Sequence, residues 1–380
     1  MMWERVKLAD VSDSCLGKML DQRKNKGIYK PYLANVNVRW GAFDLDNLQE
    51  MKFEDDEDER YGIKYGDLII CEGGEPGRCA IWKEQLPNMK IQKALHRLRV
   101  NEEMDYRYVY YWFLLAGKQG ALKQYYTGAT IMHMPGQKLK EVVIDKPPLD
   151  VQRKIGDYLE AFDNLIENNQ KQIKLLEEAA QRLYKEWFVD LRFPGYEDVE
   201  IVDSVPEGWS KEPIGSIIGK ASRTKQIKTA DYLLEGAIPV IDQSRNFIAG
   251  YTNDSEALVN AGTPVIVFGD HTRILKYIQF PFAKGADGTQ LIISDRTNMP
   301  QSLLYLSLSA VDLSNYHYAR HFKYLKAESI LIPSQDVADE FDRLISPIFS
   351  QIQKLREKCY KLSQARDRLL PKLMSGEIEV

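Results

Sequence analysis

Two long stretches of the chain carry an apolar stripe at three- and four-residue steps, the period of a helix packed along its length. In the first, Ile155, Tyr158, Leu159, Phe162, Leu165, Ile166, Ile173, Leu176, Ala180, Leu183 and Trp187 recur. In the second, Val337, Phe341, Leu344, Ile345, Ile348, Ile352, Leu355, Leu362, Leu369 and Leu373 follow the same period. Asp150 and Asp336 stand just after Pro147 and Pro333, where an Asp can cap the first free amides of a helix. Pro347 inside the second stripe predicts a kink, and Pro371 predicts the helix end. At 1.5 Å per residue, nearly 40 residues make a helix of roughly 55 Å, longer than one small domain can cover. Two such helices with matching stripes cover each other if they pack antiparallel. The predicted packing positions are Ile155, Phe162, Ile166, Ile173, Leu176 and Leu183 against Phe341, Ile345, Ile352, Leu362 and Leu369.

The segments between the stripes have another texture. Short apolar runs at Leu68-Ile69-Ile70, Ala80-Ile81-Trp82, Pro264 to Phe268 and Gln290 to Ile293 are separated by Gly, Pro and Asn turns. Helical patterns cover Tyr106 to Leu115 and Gln301 to Leu308. The fold class is therefore α+β. Arg192 to Trp209, with Phe193-Pro194-Gly195-Tyr196 and Val205-Pro206-Glu207-Gly208-Trp209, has the punctuation of a linker.

The plan occurs twice. A shift of 186 positions places Leu139-Lys140 on Leu325-Lys326, Ile144 on Ile330, Pro147 on Pro333, Asp150-Val151 on Asp336-Val337 and Arg182-Leu183 on Arg368-Leu369, without a gap. Trp3 with Leu8 corresponds loosely to Trp209 with Ile214. Each half is a variable unit followed by a better-preserved helical tail. The expected boundaries are 1–146 and 191–332 for the variable units, and 147–190 and 333–380 for the helical regions. This makes a pseudo-twofold molecule in which an antiparallel helix pair separates two globular domains.

Composition narrows the function. With 380 residues, 44% hydrophobic and 28% charged, the chain can bury two ordinary cores. It has no stretch of about 20 apolar residues, and its start, Met1-Met2-Trp3-Glu4-Arg5, lacks a signal pattern, so a cytoplasmic protein is expected. Cys15, Cys71, Cys79 and Cys359 have no metal-ligand spacing. The net charge of −4 does not exclude nucleic acid, because a groove-facing surface needs only a local basic cluster. Six of the acidic residues lie in one run, Glu54 to Glu59, which reads as a solvated loop.

Catalytic signals are sparse. Glu72-Gly73-Gly74-Glu75-Pro76-Gly77 lacks the Lys-Ser/Thr end of a phosphate loop and reads as a tight turn. His317 and His321 are four apart with no local carboxylate to complete a metal site. What remains is Arg, Lys, Gln, Thr and His in loops after strands, residue types that bind base edges and phosphates. The candidates are Arg39, Arg78, Lys90, Gln92, Lys93, Arg97, Thr130 and His133 in the first unit. In the second they are Arg223, Lys225, Gln243, Arg245, His271, Arg273, Lys284 and Gln290.

The assembled pattern resembles the DNA specificity subunit of type I restriction-modification systems, and the likeness covers nearly the whole chain. It is carried by the duplicated order of variable unit and helical region, by Leu139 to Ile144 leading through Pro147-Pro148-Leu149-Asp150-Val151-Gln152 into the first helix, and by the closing run Ala365 to Ile378. Gly66-Asp67-Leu68-Ile69 is similar to the family's Gly-Asp-apolar strand, which Gly262-Thr263 replaces in the second unit. The resemblance implies a non-catalytic chain whose two domains each read one half of a split, asymmetric DNA site. The helices would set the spacer and dock modification subunits. It further implies S-adenosylmethionine on those subunits, ATP and Mg on restriction subunits, and no cofactor or metal in this chain. The alternatives are a two-domain enzyme with an unrecognised active site and a helical protein-binding scaffold.

Overall fold

A computed structural model of the chain describes residues 3–21, 25–219, 221, 224–316 and 320–380. The chain forms two compact units, residues 1–167 with 360–380, and residues 168–359. The first long helix, Leu149–Tyr184, and the second, Gln335–Met374, each contribute a segment to both units.

In the first unit a four-stranded antiparallel sheet has the order Ser12–Leu16, Leu95–Val100, Leu68–Cys71, Cys79–Ile81. Leu68–Cys71 is apolar throughout and buried on both faces. One face is covered by the helix Tyr106–Gln119, which is capped by Asp105 accepting from Arg107 N–H and Tyr108 N–H and is ended by left-handed Gly120. A smaller sheet has Ile28–Leu33 between Gln49–Phe53 and Lys90–Ile91, the last pairing parallel. Glu4–Lys7 pairs with Val143–Lys146.

The second unit repeats this topology. Its large sheet runs Ile218–Gly219, Thr289–Ser294, Val265–Gly269, Leu275–Ile278. In its other four-stranded sheet Ile238–Ile241 pairs parallel with Phe282–Lys284, and in a separate two-stranded sheet Ser210–Pro213 pairs with Ser329–Ile332. The repeat seen in the sequence is thus a repeat of strand order, including the one parallel pairing in each unit's second sheet.

Within each unit the two long-helix segments pack antiparallel. In the first, Ile155 and Leu159 share a core with Leu370, Leu373 and Met374, Asp163 binds Arg366, and Lys154 reaches the carbonyl of Val380. In the second, Glu177 binds Arg356 at 2.7 Å while Trp187 meets Phe341 at 5.4 Å between ring centres. Phe341, Ile345 and Ile352 are buried, and Ile173, Leu176 and Leu183 pack against them, as Leu369 does on the first unit's core. Phe162, Ile166 and Leu362 are half-buried. Tyr158, Leu165 and Leu344, assigned to the stripe, are exposed, because each seam is narrower than the apolar period suggests.

Several expectations are corrected. Asp150 and Asp336 lie inside the first turns, where a carboxylate complements the helix dipole, and do not precede them. The first helix start is held instead by fully buried Gln152, which donates to Pro147 C=O at 2.8 Å and accepts from Asp105 N–H at 2.9 Å. The second helix continues past Pro371 to Met374. The chain then turns at left-handed Gly376, where a Cβ would lie 3.1 Å from the Trp3 ring. Residues 192–209 are not a plain linker, since Phe193 and Trp209 are buried with ring centres 4.7 Å apart and Phe188 lies tilted against Trp209 at 5.5 Å.

The acidic run is not a loop either. It forms the short helical turns Asp55–Glu57 and Asp58–Tyr61. Asp58 binds Lys30 at 2.7 Å and Lys90 at 3.0 Å, and Glu57 takes buried Lys18. The basic partners neutralise the repulsion that the isolated run implies. Among the described residues no helix is long and apolar enough to cross a membrane, and no group of three or more His, Cys, Asp and Glu could hold a metal.

Candidate nucleic-acid interface

In the first unit five loops meet at one end of the two sheets. The turn after Leu33 reaches the turn after Cys71 through Asn35, whose Nδ2 donates to Gly73 C=O at 2.6 Å. Arg78 returns from the same turn, donating to Asn35 C=O at 3.2 Å and to its Oδ1 at 2.9 Å. Glu75 ties Arg78 at 3.1 Å to Trp40, whose Nε1–H donates at 2.7 Å. The third loop, after Ile91, joins through Gln92 N–H to Leu33 C=O at 3.0 Å and Glu72 N–H to Ala94 C=O at 2.9 Å. A fourth, from 17 onward, enters through Lys18 N–H to Ile91 C=O at 3.0 Å.

The fifth is a hairpin closed by Thr127 and His133, which exchange bonds of 2.8 and 2.9 Å, and it is anchored by Met134 N–H to Glu72 C=O at 2.7 Å. A Cβ on Gly73 would fall 2.8 Å from His133 Nδ1, so only glycine lets the hairpin approach. Thr130 and His133 are exposed on this hairpin, beside Ile131 and Met132 at 65% and 45% exposure. Beneath it, buried His96 meets Met134 C=O at 3.0 Å, and burial holds its pKa below the ordinary value against that bond and Glu72.

The second unit has the same network. Gln243 follows Ile241 by two positions as Asn35 follows Leu33, and His271 follows Gly269 as Gly73 follows Cys71. Gln243 Oε1 accepts from His271 N–H at 3.1 Å, its Nε2 donates to Asp287 C=O at 2.7 Å, and its own C=O accepts from Thr272 Oγ1 at 2.7 Å. Gly285 N–H reaches Ile241 C=O at 2.8 Å, Asp270 N–H reaches Gly288 C=O at 2.8 Å, and His321 N–H reaches Asp270 C=O at 2.8 Å. These match the Gln92, Glu72 and Met134 bonds of the first unit. Gly288, left-handed, fits where a Cβ would come within 2.7 Å of both Gln243 and His271.

Arg273 also takes a left-handed backbone, φ 61°, and extends its guanidinium along Tyr316 C=O at 3.1 Å and His321 Nε2 at 3.3 Å. Burial, reinforced by Arg273, holds the His321 pKa below the ordinary value, consistent with a neutral ring accepting from Arg273. That placement gives His321 a side-chain role unrelated to a metal; His317 lies outside the described residues.

The sequence candidates separate by these contacts. Arg39, Lys93, Thr130 and His133 are exposed in the first cluster, and His271 is exposed in the second. Arg78, Gln92 and Gln243 are spent on the loops around them, Gln92 through Oε1 to Ala94 N–H at 3.0 Å. Lys90 and Arg97 cannot face a groove. Lys90 is buried on Asp58, and Arg97 is buried on Asp13 and the carbonyls of Glu59, Arg60 and Gly62. Lys225 is held by Asp254 at 2.6 Å, Lys284 is half-buried with its pKa lowered by burial, and Gln290 is half-buried at the strand position equivalent to His96. Arg245 lies apart, lining a cavity of 360 Å³ with Phe247, Glu177, Gln181, Tyr305 and Arg356. Arg223 lies outside the described residues.

Sequence reasoning missed Asn35, whose equivalence to Gln243 rests on strand ends that the sequence does not mark. It also missed the exposed apolar residues Met19, Leu20, Val36, Ile131 and Met132.

Two loop clusters with one backbone plan and different exposed side chains can present different hydrogen-bonding and apolar groups to nucleic-acid bases. The comparisons agree. Residues 2–178 match the family described as Type I restriction modification DNA specificity domain. The chain is 29% identical over 344 residues to the type I restriction enzyme MjaIX specificity subunit of Methanocaldococcus jannaschii, covering 83% of this chain and 78% of that protein. It is 26% identical over 200 residues to the EcoR124I/EcoR124II specificity subunit of Escherichia coli, 47% of this chain and 48% of that one. The crystal structure of a type I restriction-modification system S subunit from M. genitalium shares the fold, with a TM-score of 0.55 at 15% identity over 98% of this chain and 96% of that one.

Proposed function

We propose that this chain is a DNA specificity subunit of a type I restriction-modification system and recognises DNA sequence through its two loop clusters, each reading one half of a bipartite, asymmetric site. The observation that carries this reading is the identity of the backbone ties in the two clusters set against the difference of their exposed groups. Thr130, Ile131, Met132 and His133 crown the first, and His271 is exposed on the second beside half-buried Arg273. Equal scaffolds with unequal tips read unequal half-sites. Thr and the apolar tips suit a thymine methyl, and an Arg fork suits guanine O6 and N7.

The chain performs no chemistry in this reading. The long helices set the unread gap between half-sites and dock modification subunits that carry S-adenosylmethionine and methylate a flipped adenine. Restriction subunits bring ATP and Mg. Helices of this length fit the task, since B-DNA advances about 34 Å per turn and 36 helical residues correspond to roughly 54 Å. Exchanging residues 1–146 for the same segment of another specificity subunit tests the modular part. One half of the methylated motif should change while the other half persists. A change in both halves, or in neither, would refute it.

A further inference from the structure

Asn35 and Gln243 occupy the same place in the two units. Each follows an inner strand of its unit's second sheet by two residues, and each binds the second residue after the equivalent first-sheet strand. The bonds run in opposite senses. Asn35 donates Nδ2 to the Gly73 carbonyl, whereas Gln243 accepts from the His271 amide. Both carboxamides then use their other oxygen or nitrogen to fix a further loop residue, Oδ1 for Arg78 in the first unit and Nε2 for Asp287 C=O in the second. In each side chain both the amide nitrogen and the amide oxygen are engaged within the unit.

We propose that Asn35 and Gln243 are specificity-positioning residues, each locking the reading loops of its own unit without touching DNA. The proposal rests on the half-site reading above and adds the residues that fix its geometry. Gly73 sits against the Thr127–His133 hairpin, so the Asn35 tie sets where Thr130, Ile131 and Met132 stand. His271 opens the turn that ends in left-handed Arg273, so the Gln243 tie sets the direction of the guanidinium. Loosening a tie therefore blurs discrimination at one half-site. A phosphate contact, by contrast, would weaken binding to every sequence alike.

Asn35→Asp and Gln243→Ala test this, the first with almost no change of shape. Asn35→Asp keeps the acceptor for Arg78 and turns a second oxygen toward the Gly73 carbonyl. In the assembled complex, methylation rates are compared on the wild-type site and on sites carrying one altered base in either half. Asn35→Asp should cut the first unit's half-site discrimination by about tenfold, the size of one lost buried hydrogen bond, and leave the other half unchanged. Gln243→Ala, which removes the His271 acceptor that Gln243→Glu keeps, should do the reverse. Asn35→Ala should repeat the pattern of Asn35→Asp. Discrimination that is unchanged, or lost equally at both halves, would overturn the proposal. A wild-type complex that shows no two-part site at all would instead sink the reading on which it rests.

Discussion

Lys90 and Lys93 lie three residues apart on one strand and its loop, and replacing them should give opposite results. Lys93 is exposed, and no ion pair to it is found among the described residues, so its charge is available to a phosphate. Lys93→Ala should lower the slope of log binding constant against log salt by about 0.9, the release of one counterion. Between 50 and 200 mM salt the wild-type complex should therefore lose about 3.5-fold more affinity than the variant. Lys90 is 3% exposed, and Asp58 keeps Lys30 when Lys90 is removed. Lys90→Met should leave the salt slope unchanged and cost about 1–2 kcal/mol, less than a fully buried pair because Asp58 is partly exposed. In a unit of this size that lowers the first unit's melting temperature by roughly 2–8 °C.

Burial raises the Asp58 pKa, but Lys30 and Lys90 outweigh it and hold the carboxyl below its ordinary value. Its contribution is present above the unfolded pKa near 3.9 and is lost as pH falls through the lower folded value, so in Lys90→Met the acid loss should be smaller and should be complete at higher pH. Salt titration of DNA binding by the assembled complex and thermal melts of the chain read the two effects separately. An altered salt slope in Lys90→Met, or an unaltered one in Lys93→Ala, would refute the division into buried and groove-facing cations.

Lys276 is buried and donates to Asp242 C=O and Asn246 C=O, closing the loop that carries Gln243. Burial pushes its pKa down to about 8, with Asp242 opposing, so between pH 8 and its ordinary value the unfolded chain binds more protons and folded stability rises with pH. Thermal melts from pH 7.5 to 9.5 should show this rise, and Lys276→Met should flatten it. Phe341→Ala empties a site of 0% exposure against Trp187 and Phe188 and should cost about 3–5 kcal/mol, lowering the second unit's transition by roughly 6–20 °C in calorimetry.

The long helices, the two α+β units and their duplication were legible in the sequence, because period and repetition survive wherever packing selects apolar residues. The fate of individual charges was not. Lys90 points inward only because Asp58 is presented by a helical turn, and that turn exists only because Lys18, Lys30 and Lys90 neutralise a run that repels itself in isolation. Arg97 reads as a groove residue until the 59–62 carbonyls are seen to converge on it from outside its strand. The segment around Phe193 and Trp209 has the Gly and Pro content of a linker, but its aromatics supply core, and turn punctuation carries no information about burial. Asn35 and Gln243 stand two residues beyond equivalent strands, a regularity visible only once the strand ends are known.

The proposed function stands on two unlike readers sharing one scaffold plan. Mapping methylated adenines across the genome of cells that carry this chain with its modification partner tests it most directly. A single motif of two different specified blocks separated by a fixed number of unspecified bases is expected. A contiguous motif, or a gap that varies from site to site, would contradict it.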